Sequence, residues 1–187
     1  MKLTNVNIAI SLVCVAAFFA LLAPVGAEQA KPEATPGGVK SLTKEESAAI
    51  RKVVAGFEEA WNTHDMKALE KLFSEDAEFI NVVGMHWRGR KAIVAAHAAY
   101  HETIFKNHRI KIDTVEIRSL GEGHAIAVAT LTGDSSKTPD GQVIPMRQHR
   151  LTYVLTKGPD DWKISHGHNV AVDAEAAQFD PVNKTKK

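Results

Sequence analysis

Nine histidines are the side chains of this 187-residue chain best suited to acid–base or metal chemistry. In the helical pattern after Gly89, a turn of about 100° per residue places His97 inside the apolar stripe begun by Ile93. Tyr100 lies near that stripe and His101 on its flank. Two interpretations of His97 stay open: a core side chain with both ring nitrogens paired, or a pocket residue acting as hydrogen-bond partner or general base.

The last strand-like stretch carries two more histidines. Alternation places four side chains on one strand face: Trp162, Ile164, His166 and His168. Because this face carries a tryptophan and an isoleucine, we predict that it faces the protein interior. Both histidines are then expected to point inward, with Asn169 on the opposite face.

Histidine spacing also permits a metal site. His97 and His101 lie on adjacent helical turns, and His166 and His168 lie on one strand face. Either pair suits zinc or copper. Neither pair has the acidic residue of the helical HExxH protease motif. We predict no metal ligand and keep a histidine metal site as a lesser alternative.

Two polar residues have open environments. Asn81 shares a strand face with Phe79 and Val83, so it either points into a hollow or forms local hydrogen bonds at the sheet edge. His149 lies either at a pocket mouth or in solvent, and the mixed polarity of its strand favours solvent.

The charge balance of the chain excludes two classes of binding partner. Lys and Arg total 23 against 22 Asp and Glu, so the formal charge is +1, without the basic excess that binds phosphate backbones or anionic lipid. Neither nucleic acid nor, after leader removal, a membrane is expected as a partner. The chain has no glycine-rich dinucleotide fingerprint and no haem-type motif, so no cofactor is predicted.

The first 27 residues have the pattern of an export signal. Lys2 supplies the positive end, residues 8–22 are almost wholly apolar, and small residues precede a cleavage site after Ala27. About 15 apolar residues fall short of the roughly 20 that span a bilayer. We expect a periplasmic or secreted protein whose mature part lacks thiols, because Cys14 lies within the signal.

The remaining chain divides into three parts. Residues 28–42 are predicted to form a flexible linker, 43–172 one folded domain and 173–187 a polar tail. A capping box at Thr43 and Glu46 opens a first helix of about 20 residues, and Asp65 caps a second. A strand at 77–83 and a third helix at 90–105 follow. Four further strands, expected at 109–120, 124–132, 143–157 and 162–170, are separated by turn signals that predict three consecutive hairpins.

These elements indicate an α+β fold in which a curved antiparallel sheet wraps around two to three N-terminal helices. A sheet that curls without closing leaves an apolar hollow at one end. We expect this hollow to bind the ligand.

The order of several short motifs is similar to that of a known family. The motifs are AWNTHD at 60–65, LEKLF at 69–73, DAEF at 76–79, WRGRKAI at 87–93 and DWKIS at 161–165. Over residues 43–172 the chain resembles the SnoaL-like branch of the nuclear transport factor 2-like superfamily, which includes ketosteroid isomerases. The resemblance implies a cone-shaped barrel, a ligand pocket in the cone and homodimers.

The same resemblance implies site residues. The branch most similar in pattern has a histidine in the third helix and a His-Asn or Gln-Asn pair at the end of the last strand, matched here by His97, His168 and Asn169. The isomerases' tyrosine is replaced by Phe57 and their general-base aspartate by Asn81, so steroid isomerase chemistry is not expected.

Two functions remain in competition. In the first, an exported protein binds a small apolar organic ligand, and His97 or His168 moves a proton while Asn81 and Asn169 orient a carbonyl group. The other expected lining residues are Trp61, Phe79, Tyr100, His101 and His166. Whether this protein turns its ligand over is left open. In the second, the chain is a non-catalytic, homodimerising association module whose histidines are structural.

Overall fold

The computed structural model describes residues 40–182. Its elements, in chain order, are α1 Lys44–Thr63, α2 Met66–Leu72, β1 Phe73–Ile80, β2 His86–Arg88, α3 Arg90–Glu102, β3 Ile110–Gly121, β4 His124–Gly133, β5 Ser136–Lys137, β6 Val143–Ile144, β7 Arg147–Lys157, β8 Trp162–Ala171 and α4 Ala174–Ala177. The predicted export signal, most of the linker and the last five residues lie outside the described part. Within residues 40–182 no helix has the length and apolar character needed to cross a membrane.

The helices begin at the predicted caps. The Thr43 hydroxyl accepts from the Glu46 amide at 3.1 Å, and the Glu46 carboxylate accepts from the Thr43 amide at 3.0 Å. Asp65 caps α2 by accepting from the Ala68 amide at 2.9 Å. α3 ends at Glu102, three residues earlier than the spacing predicted. The tail after residue 172 begins with the short helix α4, capped by Asp173.

The main sheet has six strands in the order β2-β1-β8-β7-β4-β3. The three predicted hairpins are confirmed as β3–β4, β4–β7 and β7–β8. The expected strand at 143–157 is interrupted at Pro145, and its first part pairs with β5 as a separate small hairpin. The predicted curved antiparallel sheet is confirmed with one exception, because β1 runs parallel to its neighbour β8.

A β-bulge at Ser165 decides which side chains of β8 face inward. Leu155 pairs with Ile164 but Val154 pairs with His166, so Ser165 is an extra residue in β8. Its hydroxyl donates to the Val154 carbonyl at 3.1 Å. The bulge reverses the alternation. Before it, the even-numbered residues Trp162 and Ile164 face inward, and after it the odd-numbered residues do.

The predicted inward facing of His166 and His168 is therefore wrong. Beyond the bulge Gly167 is buried, His168 is exposed and Asn169 is half-buried. The sequence does not reveal the extra residue. Trp162 and Ile164 precede Ser165, so they form the same apolar face at the start of the strand whether or not the alternation continues unbroken.

The core lies between the helices and the inner face of the sheet. α1 contributes Ile50, Val54 and Phe57, and its partners include Tyr153 of β7 and Ile164 of β8, all at most 2% exposed. The rings of Phe57 and Tyr153 lie 5.6 Å apart between centroids. Because the sheet curves around these helices and stays open, the core gives way to a cavity at one end.

Gly167 is required by the close approach of Phe79 on the neighbouring strand. A Cβ atom at position 167 would lie 2.5 Å from Phe79 Cδ2. Phe79 also contacts Trp87 and His97, with ring centroids 5.9 and 5.3 Å away, so its ring has little room to move.

We expect Gly167→Ala to lower the free energy of unfolding by about 1–3 kcal/mol, the usual cost of overpacking a core. The measurement is urea unfolding followed by tryptophan fluorescence. Val170→Ala, on an exposed position of the same strand, is the control and should change stability by less than about 0.5 kcal/mol. Equal stability of Gly167→Ala and the wild type would contradict the packing described here.

Candidate functional site

The open end of the sheet encloses a cavity of about 270 Å³. α1, α3 and the strands of the main sheet supply most of its wall, and the segment around β6 supplies part of its rim. The lining is mainly aromatic and aliphatic, and includes Phe57, Trp61, Phe79, Trp87, Phe105, Ile110, Leu131 and Leu151. Such a surface suits an apolar ligand. The polar and charged residues of the lining are Asn81, His97, Tyr100, His108, Asp134, Ser136, Arg147, His149 and Asn169.

His97 on α3 is a polar group of this wall and is only 4% exposed. Its Nδ1 lies 2.8 Å from the carbonyl oxygen of Ile93, one turn earlier on α3. A carbonyl oxygen only accepts, so Nδ1 carries the hydrogen, and in the neutral ring Nε2 is a bare acceptor. Burial lowers the pKa of His97, which keeps the ring neutral near pH 7.

Aromatic rings surround the His97 imidazole. The rings of Phe57, Trp61, Phe79 and Trp87 have centroids between 5.3 and 6.3 Å from its own and stand at 73° to 87° to it. These rings exclude water from the imidazole. His97 is thus a buried side chain that also lines the cavity, which combines features of both interpretations of the sequence.

Trp61 is fixed by a histidine that sequence reasoning missed. Its indole N–H donates to Nδ1 of His108 at 3.2 Å. Burial lowers the pKa of His108, and the nearby Asp134 carboxylate opposes that shift. His108 lies in the segment between α3 and β3, where no helical or strand period applies, so no pattern in the sequence marks it.

His149 and Asn169 form a second polar pair in the cavity wall. Nδ1 of His149 lies 3.1 Å from Oδ1 of Asn169 on the neighbouring strand β8. Both side chains are half-buried, so the interpretation of His149 as a solvated residue is wrong. Burial lowers the pKa of His149, and the hydrogen bond to Asn169 opposes that shift.

Asn81 and Tyr100 line the cavity with hydrogen bonds already made. The Asn81 Oδ1 accepts from the backbone amides of Val83 and Met85 at 3.1 and 2.8 Å, since β1 ends at Ile80 and Asn81 begins a turn. The predicted strand position of Asn81 is therefore wrong, and its local hydrogen bonding is confirmed. The Tyr100 hydroxyl donates to Met85 Sδ at 3.2 Å.

Three of the predicted site histidines do not line the cavity. His166 and His168 lie on the other face of β8, as a result of the bulge. His101 faces inward as predicted, but it lies behind Trp61, with ring centroids 4.6 Å apart. Its Nδ1 is 2.6 Å from Nδ1 of His64, so one of these two rings donates and the other accepts.

Burial is the main cause of a low pKa for His101, which lies at about 4. The neighbouring His64, His97 and His108 lower it further. Within residues 40–182 no three histidine, cysteine or acidic side chains gather into a group that could hold a metal ion.

Comparisons with known proteins place the chain among similar sequences and folds. The profile of the SnoaL-like domain family matches residues 50–172. A search of curated proteins finds no match. A crystal structure of an uncharacterised protein with a cystatin-like fold from Caulobacter vibrioides is 41% identical, with a TM-score of 0.72 over 75% of this chain and 99% of that one.

Two further solved structures share the fold at lower identity. A domain of unknown function with a cystatin-like fold from Nostoc punctiforme is 26% identical, with a TM-score of 0.60 over 78% of this chain and 90% of that one. A ketosteroid isomerase-like protein from Erwinia carotovora atroseptica is 15% identical, with a TM-score of 0.59 over 70% of this chain and 99% of that one. The second likeness concerns the fold alone.

The facing of the histidines predicts their reactivity. We expect diethyl pyrocarbonate to modify exposed His168 much faster than buried His97, because the reagent must reach a ring nitrogen. Peptide mass spectrometry of a time course measures both rates, and urea-unfolded protein is the control in which the two rates should converge. Faster modification of His97 in the folded protein would contradict the described geometry.

The low pKa of His101 predicts loss of stability in acid. Its pKa lies at about 4, against about 6.5 for a solvent-exposed histidine, so the unfolded chain binds more protons between these pH values. The free energy of unfolding should therefore fall as pH decreases from about 6.5 to about 4. In His101→Phe the decline should be shallower, as measured by urea unfolding at a series of pH values. Equal slopes in variant and wild type would contradict this assignment.

Proposed function

The chain belongs to the SnoaL-like domain family of the nuclear transport factor 2-like superfamily, and on this basis we propose that it binds a small, mainly apolar organic molecule and moves a proton on it through His97. One observation carries the proposal. His97 Nε2 is a bare acceptor in the wall of an aromatic cavity, and it has no hydrogen-bond partner among residues 40–182.

The size and polarity of the cavity support a ligand of one or two rings. Its volume of about 270 Å³ is just below the range of small-molecule sites, which extends from about 300 to 1,000 Å³. Because the wall is mainly aromatic, most of the binding free energy would come from burial of the ligand's apolar surface.

The fixed tautomer of His97 determines the direction of proton transfer. With Nδ1–H held by the Ile93 carbonyl, Nε2 can take a proton from an O–H group or an acidic C–H bond of the ligand. That bond breaks as the N–H bond forms. Burial disfavours the resulting imidazolium, so the proton returns to another atom of the same ligand, which gives an isomerisation or cyclisation without external reactants.

Amide groups would orient the oxygen atoms of the ligand. The Nδ2 groups of Asn81 and Asn169 are donors on residues that line the cavity, while the Oδ1 atoms of both are already engaged. The likeness to a ketosteroid isomerase-like fold is compatible with such proton transfer. The chemistry of the isomerases themselves is not proposed, because the chain has Asn81 and Phe57 where a base and a hydroxyl donor were expected.

Export to the periplasm or medium, and assembly as a homodimer, belong to the same proposal. Export is supported by the pattern of the first 27 residues, and the dimer only by the family resemblance.

We expect hydroxylated and enolisable compounds of one or two rings to raise the melting temperature of the protein, with less effect in His97→Phe. The substitution keeps a flat ring in the aromatic wall but removes the Nε2 acceptor. Differential scanning fluorimetry measures the shift across a ligand series. His124→Phe is the matched control, because His124 is exposed and lies outside the cavity lining.

Proton transfer has its own readout in the same experiment. For each compound that binds, NMR in D₂O follows exchange of carbon-bound hydrogens, which should proceed with wild type and His124→Phe but not with His97→Phe. Binding with no exchange would leave a ligand-binding protein without the proposed chemistry. Equal binding and equal exchange in folded His97→Phe would overturn the role of His97.

A further inference from the structure

The cavity has a second imidazole whose tautomer is fixed. Nδ1 of His149 faces the Asn169 Oδ1 at 3.1 Å, and an amide oxygen only accepts, so Nδ1 carries the hydrogen. The neutral ring then has Nε2 as a bare acceptor. No residue in the range 40–182 forms a hydrogen bond with that nitrogen, and His149 lines the cavity.

His97 and His149 have the same tautomer, with hydrogen on Nδ1, but different groups fix it. His97 is on a helix and uses its own backbone one turn back, whereas His149 is on β7 and uses a side chain of β8. In both rings the Nδ1–H donates to an acceptor of the protein itself. The cavity therefore presents two acceptors on two different elements, and each requires a hydrogen from the ligand.

Two donors in the wall are already used, whereas the Asn81 Nδ2, the Ser136 hydroxyl and the Arg147 guanidinium are donors on lining residues that make no hydrogen bond within residues 40–182. The Trp61 indole N–H donates to His108, and the Tyr100 hydroxyl donates to Met85 Sδ. The Asn169 Nδ2 is a donor beside His149. A hydroxyl group placed there can donate to His149 Nε2 and accept from this amide, whereas an ether or carbonyl oxygen can only accept and leaves His149 unpaired.

We propose that the ligand is an apolar ring system with two hydrogen-bond donors, such as an aromatic diol, one donor directed at His97 and the other at His149. This inference rests on the proposed function and adds the substrate class. It adds two hydroxyl groups to the ligand expected from the sequence, because each of the two fixed imidazoles offers an acceptor, while the amide donors of Asn81 and Asn169 stay available to the ligand's oxygen atoms.

Three matched probes test the inference by isothermal titration calorimetry: 2-naphthol, 2,6-naphthalenediol and 6-methoxy-2-naphthol. The diol and the methyl ether differ in the second oxygen, which carries a hydrogen in the diol and a methyl group in the ether, and 2-naphthol lacks that oxygen. With wild type, the diol should bind about two- to tenfold more tightly than the ether, the range expected for one net hydrogen bond. In His149→Phe this ratio should fall to about one, and in the control His124→Phe it should keep its wild-type value.

The result that overturns the inference is an ether that binds wild type as tightly as the diol, since the second position then takes an acceptor. Failure of all three probes to bind overturns the proposed function and the inference with it. Binding of 2-naphthol that depends on His97, with no gain from the second hydroxyl, overturns the inference alone.

A spectroscopic measurement on the wild-type protein keeps the test independent of how well His149→Phe folds. In ¹⁵N NMR of the imidazoles, Nε2 of His97 and of His149 should both have the shift of an unprotonated nitrogen at pH 7. The diol should move both resonances, and the ether only one of them. A protonated Nε2 in the free protein at either residue would overturn the inference.

Discussion

The bulge at Ser165 is the constraint on which the cavity depends. One extra residue in β8, with its hydroxyl bonded to the Val154 carbonyl, sets the faces of every later side chain in that strand. It brings Gly167 under the Phe79 ring and Asn169 beside His149. Without it, two histidines would replace a glycine and an asparagine at the inner face, and the Phe79 ring would have no room.

Two imidazoles of the cavity wall have the same hydrogen-bonding state. His97 donates to a backbone carbonyl and His149 to an amide oxygen, and each ring keeps one unpaired acceptor. Burial holds both pKa values below the ordinary range, so both rings stay neutral where an exposed histidine would titrate. The two tautomers thus follow from the Ile93 carbonyl and from the amide oxygen of Asn169.

The fold and the chemistry of the cavity depend on different sets of residues. Proteins only 15% to 26% identical to this chain share its architecture, because curved sheets packed on helices tolerate many side chains of suitable size. The chemistry depends on a few positions, and those differ between members of one fold. Phe57 and Asn81 illustrate this, since Phe57 has no hydroxyl group to donate and Asn81 has no carboxylate to accept a proton.

Local signals in the sequence determined the helix caps, the buried stripe of α1, the turn-separated hairpins and the inward facing of His97 and His101. Each depends on residues a few positions apart, which a period or a capping rule describes. Tertiary structure alone decided the parallel pairing of β1 with β8, the facing of His166 and His168, and the contacts of His108 and His149. These depend on residues distant in sequence. One inserted residue in a strand reverses the alternation of its side chains, and the sequence by itself does not show where that residue is inserted.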